Sequence, residues 1–161
     1  MVVIVMGVAG SGKTTVGQAL AGDLGWIFAD ADDFHSAASR AKMAANHPLD
    51  DADRAPWLAR LRTQIEAWTK QGANAVLACS ALKESYRVTL TAHLEEVRTV
   101  YLYGDKELIL SRLNRRSNHY MPPTLLDSQL ATLEPPRDAL ALDVAATPSE
   151  LVSRIRREFG I

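Results

Sequence analysis

The sequence of 161 residues holds one cysteine, Cys79, so no disulfide can form within the chain. A reducing, cytoplasmic setting is the expectation. It also lacks an excess of either charge. Its 18 Lys and Arg stand against 19 Asp and Glu, a formal net charge of −1, which gives no global field for nucleic acid or an anionic membrane. No apolar run approaches the roughly 20 residues of a membrane span. The apolar run that opens the chain leads directly into a glycine-rich loop, so it is expected to be part of the fold rather than a signal peptide. There is no Gly-Gly pair, no internal repeat and no linker rich in Gly, Ser or Pro. One domain over residues 1–161 is expected, with 47% hydrophobic and 23% charged residues, as in an ordinary globular protein.

Glycine is concentrated where it is present: six of the nine lie in the first 25 residues. They include Gly7-Val8-Ala9-Gly10-Ser11-Gly12-Lys13-Thr14, which fits G-x-x-x-x-G-K-[ST] at every position. The run Val2-Val3-Ile4-Val5-Met6 precedes it and a helical pattern follows, the context of a phosphate-binding loop. Glycine lets the backbone curl so that N–H groups face an anion, and the helix N-terminus adds positive potential. Lys13 can reach the β- and γ-phosphates of a nucleoside triphosphate, and the Thr14 hydroxyl can ligand Mg²⁺.

The remaining pattern alternates strands and helices. Buried strands are expected at Val2 to Met6, Trp26 to Ala29, Ala75 to Cys79, Val97 to Tyr103 and, more weakly, Ala139 to Val144. Helices are expected from Lys13 to Leu24 and from Asp53 to Gln71, the second with Leu58, Leu61, Ile65 and Trp68 as its apolar stripe. A further helix follows Asp105 and carries Leu108, Leu110 and Leu113; the last follows the capping box Thr147-Pro148-Ser149-Glu150. This alternation implies a three-layer α/β sandwich with a parallel five-stranded sheet.

Ligands of such sheets sit beyond the carboxyl ends of the strands. Asp30-Ala31-Asp32-Asp33-Phe34-His35 follows the second strand. Asp30 and Asp32 alternate in an extended chain, so both can face the cleft, where phosphoryl transfer needs a proton acceptor and a carboxylate for Mg²⁺ waters. A solvated acidic turn is the alternative. Cys79-Ser80-Ala81-Leu82-Lys83 with Tyr86-Arg87 follows the third strand and suits a polyhydroxy or anionic substrate; the alternative is a helix cap by Ser80. Cys79 itself reads as a buried core thiol. Arg112, Arg115 and Arg116 precede Ser117 to Pro123, a stretch that suits a mobile cover spanning approximately 112–124. Trp57 and Trp68 read as helix-packing core, and His47 and His93 as surface residues.

With these runs in place, the chain resembles the gluconokinase family of small phosphate-loop kinases, related in fold to shikimate and adenylate kinases. The specific stretches are Asp51-Ala52-Asp53-Arg54-Ala55-Pro56-Trp57-Leu58 and Cys79-Ser80-Ala81-Leu82-Lys83. Lys42-Met43, His119-Tyr120-Met121, Gln129 and Thr132-Leu133-Glu134-Pro135 support them. The resemblance implies a nucleoside monophosphate kinase-like fold with a lid, an acceptor-binding segment at approximately 30–58, and ATP-dependent phosphorylation of D-gluconate at its 6-hydroxyl. It implies ATP and Mg²⁺ as cofactors and a homodimer. Gly7, Gly10, Ser11, Gly12, Lys13, Thr14, Thr15, Arg112, Arg116 and Pro135 would contact nucleotide. Thr14 and Asp32 would meet Mg²⁺. Asp32, with Asp30 as the alternative, would accept the hydroxyl proton, assisted by Lys13 and Arg116. Asp32, His35, Arg54, Ser80, Lys83 and Arg87 would hold the sugar acid.

The chain departs from the family pattern at Ala31, at Ser36 to Ser39, at Asn46 and at Val88. Shikimate is the other acceptor to consider, but that family's paired glycines are missing. A nucleoside monophosphate is a further alternative, for which the chain is short. A nucleotide-dependent switch is the reading of another class; it would not need the Asp32, His35, Lys83 and Arg87 cluster.

Overall fold

The strand β1, Val2–Met6, is buried along its whole length, because helices cover both faces of the sheet it centres. The computed structural model describes residues 1–45, 47–115 and 123–161. The other strands are β2 (Ile27–Asp30), β3 (Ala75–Ala78), β4 (Val97–Tyr103) and β5 (Leu140–Asp143). They form one parallel sheet in the order β2-β3-β1-β4-β5. The chain thus steps to opposite sides of β1, and the crevice at that switch point lies over the carboxyl end of β1.

Alternate residues of β1 enter two cores. Val3 and Val5 join the cluster that holds Val16 and Leu20 of α1 (Lys13–Leu24), Ile109 and Leu113 of α5 (Lys106–Arg115), and Leu151, Val152 and Ile155 of α7 (Pro148–Phe159). Val2, Ile4 and Met6 join Trp57, Leu58, Leu61, Ile65 and Trp68 of α3 (Asp51–Lys70), with Tyr86 and Leu90 of α4 (Glu84–Thr91). The period of two in the strand against about 3.6 in the helices produces this sorting. The three-layer sandwich expected from the alternation is therefore the observed fold.

Local differences have local causes. α3 starts two residues before the expected Asp53, because Asp50 and Asp53 form a reciprocal capping box. In α5 the buried residues are Ile109 and Leu113, four apart, while Leu108 and Leu110 are half-buried at the margins. Two helices lie in stretches not assigned to elements: α2 (Ala37–Ala44), capped by Ser36, and α6 (Pro123–Thr132), anchored by the fully buried Leu126. α7 carries the expected capping box at Thr147 and Glu150. Among the described residues no helix is long and apolar enough to cross a membrane.

Leu61 is 0% exposed at the centre of the α3 face. Leu61→Ala should lower unfolding stability by about 2–5 kcal/mol through lost burial and a residual cavity, measured as a fall in the urea midpoint at unchanged denaturant slope.

Candidate active site

The turn from β1 into α1 is built from glycine for steric reasons visible at each position. Gly10 has φ +80, and a Cβ there would lie 2.5 Å from Leu113 of α5. Gly12, the N-cap of α1, has φ 92. Both are left-handed backbone that favours glycine. Lys13 reaches back over the loop, its Nζ donating to the Val8 carbonyl at 3.1 Å. Ser11 is 1% exposed, and its Oγ is buried without a hydrogen-bond partner under Gly7. Thr15 lies exposed on the first turn of α1.

β2 delivers the acidic turn beside this loop. Asp30, its last residue, accepts the Thr14 hydroxyl at 3.0 Å on Oδ2 and the Asp32 N–H at 3.0 Å on Oδ1. The chain does not stay extended here, as the alternation of Asp30 and Asp32 predicted. It closes a 3-10 turn, Ala31–Phe34, capped by Asp30. Asp30 is thus the carboxylate on Thr14, while Asp32 projects beyond it, its Oδ1 3.8 Å from His35 Nε2. Loss of solvent against the cleft walls and then the Asp30 charge raise the Asp32 pKa, with His35 and Lys13 opposing. The side chain is 83% exposed, so water screens part of that shift.

α3 clamps the turn from behind. Trp57 Nε1 donates to the Ala31 carbonyl at 2.7 Å, and Arg60 Nε donates to the Phe34 carbonyl at 2.8 Å. The Trp57 ring stacks on His35 with centroids 4.6 Å apart and planes 7° from parallel. Trp57 is therefore core, as expected, and one of its faces is occupied by His35. His35 is buried, with Nδ1 unpartnered. Burial lowers its pKa; Asp32 opposes, while Arg60, Arg54 and Arg40 push the same way as burial.

The third strand end supplies a basic wall. Lys83 donates to both oxygens of Asp51 at 3.0 and 3.1 Å, and Tyr86 donates to Asp51 Oδ1. Arg54 donates to the Tyr86 hydroxyl at 3.3 Å and lies over its ring. Asp51 stays ionised against these donors, its pKa lowered first by Tyr86 and then by Lys83. Lys42 of α2 pairs with Asp53 at 2.8 Å, which ties α2 to the same helix end. Arg87, expected to hold the sugar acid, turns one terminal nitrogen to the backbone. Its Nη1 donates to the carbonyls of Ala81 and Leu82, each at 3.0 Å, and so holds a turn in which Ala81 has φ 42. Such backbone costs on the order of 1–3 kcal/mol and persists only where neighbours enforce it. Ser80 leaves β3 half-buried and does not cap α4, whose N-cap is Lys83. Cys79 is a buried thiol with its pKa pushed up to about 12 by burial.

Arg112 Nη2 donates to the Val144 carbonyl beyond β5 at 2.6 Å. Arg116 and most of the expected cover, 116–122, lie outside the described residues, as does Asn46. Pro135 lines a groove with Glu84, Arg87, Leu94 and Val97. Val88 is 54% exposed in that same groove. At the departure from Ser36 to Ser39, the Ser36 hydroxyl accepts the Ser39 N–H at 3.0 Å, so the altered run builds its own helix cap. Gln129 is the contact that had no role in the sequence. Its Oε1 accepts the Ala9 N–H of the phosphate loop at 2.6 Å; only its place in the family pattern singled it out.

Among the described residues no group of three His, Cys, Asp or Glu could hold a metal unaided. The Thr14 hydroxyl and Asp30 carboxylate do form an oxygen pair of the kind Mg²⁺ accepts alongside phosphate and water oxygens. His35 gives a pH test. Its folded pKa lies below the ordinary 6.5, so its contribution is present above that value and lost as pH falls through the folded pKa. Wild type should lose stability relative to His35→Gln between about pH 7.5 and pH 5.5, read as the difference of urea unfolding curves.

A family model described as an AAA domain matches residues 2–136. The probable gluconokinase of Xenopus tropicalis is 44% identical over 98% of this chain and 93% of its own length. The gluconokinase of Gluconobacter oxydans is 48% identical over 84% of this chain and 76% of its own. The crystal structure of a gluconokinase from Sinorhizobium meliloti superposes with a TM-score of 0.83 at 36% identity, covering 98% of this chain and 94% of that one. With its phosphate loop, its acidic turn and its basic wall at the same sheet end, the chain belongs to the gluconokinase family of phosphate-loop kinases.

Proposed function

We propose that this chain transfers the γ-phosphoryl group of ATP to the 6-hydroxyl of D-gluconate, giving 6-phospho-D-gluconate and ADP. The observation that carries the reading is the Thr14–Asp30 contact of 3.0 Å. It joins the nucleotide end of the site to the turn that carries Asp32. Family membership supplies the acceptor.

The placements described above support a role for each residue. The loop amides and Lys13 receive the β- and γ-phosphates, with the α1 N-terminus behind them. Thr14 and Asp30 would hold Mg²⁺, which supplies charge neutralisation at the phosphates. Asp32 faces the cleft and accepts the proton of the 6-hydroxyl as the phosphorus–oxygen bond forms; its raised pKa makes it a better acceptor. His35, seated on Trp57 with Nε2 toward Asp32, would stay neutral and meet a sugar hydroxyl through Nε2, since its Nδ1 is buried. Arg54 and Lys83 present positive charge to the acid's carboxylate. Arg87 works one step back, holding the Ala81–Leu82 turn. Arg112 fits an adenine-side position beside Val144.

A coupled assay with Mg²⁺-ATP against D-gluconate, other aldonic acids, shikimate, AMP and water tests the acceptor. D-gluconate should stimulate ADP release most strongly, with 6-phosphogluconate as product; stimulation by none of the acceptors overturns the reading. Asp32→Asn should lower kcat about 10²–10⁴-fold with KM for ATP little changed. A rise in gluconate KM at unchanged kcat would make Asp32 a binding residue instead. Lys13→Ala should abolish transfer in a protein that still folds.

A further inference from the structure

One peptide unit of the phosphate loop, between Val8 and Ala9, is gripped at both polar ends. The Val8 carbonyl accepts from Lys13 Nζ at 3.1 Å and from Ser11 N–H at 3.2 Å. The Ala9 N–H donates to Gln129 Oε1 at 2.6 Å. In a trans peptide the carbonyl and N–H point in opposite directions within one plane. Gln129 therefore holds the side of the plane facing away from Lys13, and the unit cannot turn without breaking bonds at both ends. Ala9 N–H can only donate, so the Gln129 atom facing it is the amide oxygen.

The helix that carries Gln129 is itself fixed. α6 is pinned by Leu126, 0% exposed. The chain just beyond is tied down where the Leu133 N–H donates to the Gln129 carbonyl at 2.9 Å and the Glu134 N–H to the Leu82 carbonyl at 2.9 Å. The bond to Ala9 joins residues 120 positions apart, so it is set by tertiary packing.

We propose that Gln129 is a positioning residue for phosphoryl transfer: its side-chain amide fixes the Val8–Ala9 peptide, and with it the resting place of Lys13 and the curl of the loop, before nucleotide binds. Preorganisation of this kind shows as affinity, because the ordering is not left for the ligand to impose. The inference rests on the nucleotide half of the proposed function and is independent of which acceptor is used.

The test is calorimetric titration of Mg²⁺-ADP and a non-hydrolysable Mg²⁺-ATP analogue into wild type and Gln129→Met, together with amide hydrogen exchange at Ala9. Methionine keeps length and helix propensity and removes the acceptor. Nucleotide affinity should weaken roughly 3- to 10-fold, the range of one net hydrogen bond, with faster exchange at Ala9 and a Tm lower by only about 2–4 °C. Gln129→Ala must move both readouts the same way. Affinity within about twofold of wild type, tighter binding, or unchanged Ala9 protection in a folded variant overturns the proposal. Absence of nucleotide binding by wild type would instead overturn the proposed function.

Discussion

The left-handed backbone at Gly10 and Gly12 is the constraint on which the rest of the site depends. The chain must leave the buried centre of the sheet, reverse, and enter α1 with its amides facing inward, and only glycine does this without strain. The turn is also sterically closed from outside. Leu113 and Ile109 of α5 lie where a Cβ on Gly10 would sit, so the helix after β4 packs on the loop after β1. Those α5 residues belong to the same core as β1, α1 and α7. The phosphate cradle is therefore an extension of the core that happens to reach the surface.

The acceptor half is organised by a different element. α3 runs across the other face of the sheet, and its first turns meet the acidic turn after β2. Trp57 and Arg60 donate to carbonyls at either end of that turn, and Trp57 also carries His35. The same helix end contributes Asp51 and Arg54 to the basic wall with Lys83 and Tyr86. One helix thus holds the acidic turn and the Arg54, Lys83 and Tyr86 cluster in register. The Thr14–Asp30 bond joins this half to the phosphate loop. The loop and the acidic turn meet because β1 and β2 end on the same side, separated only by β3.

Electrostatics divides the two carboxylates of the turn. Asp30 is committed to Thr14 and to the N–H of Asp32, whereas Asp32 is left facing the cleft with a raised pKa. A single residue of separation in sequence gives them different chemistry, because one ends a strand and the other sits inside a 3-10 turn. Arg87 shows the reverse case. A guanidinium expected to hold the sugar acid also donates from Nη1 to the carbonyls of the left-handed Ala81 turn.

Local pattern determined much of this protein. The eight-residue phosphate loop, the five strands, the apolar stripe of α3 and the capping box of α7 are each written in neighbouring residues, since strand and helix periods and glycine backbone freedom act over a few positions. The runs around Arg54 and Cys79 stood out by their resemblance to a family rather than by period. Tertiary structure alone decided the division of labour between Asp30 and Asp32, the seat of His35 on Trp57, the backbone duty of Arg87 and the reach of Gln129 to Ala9. Those contacts join residues distant in sequence or depend on how the chain bends after a strand. Their geometry is set by how helices on the two faces of the sheet pack, which no short window of sequence contains.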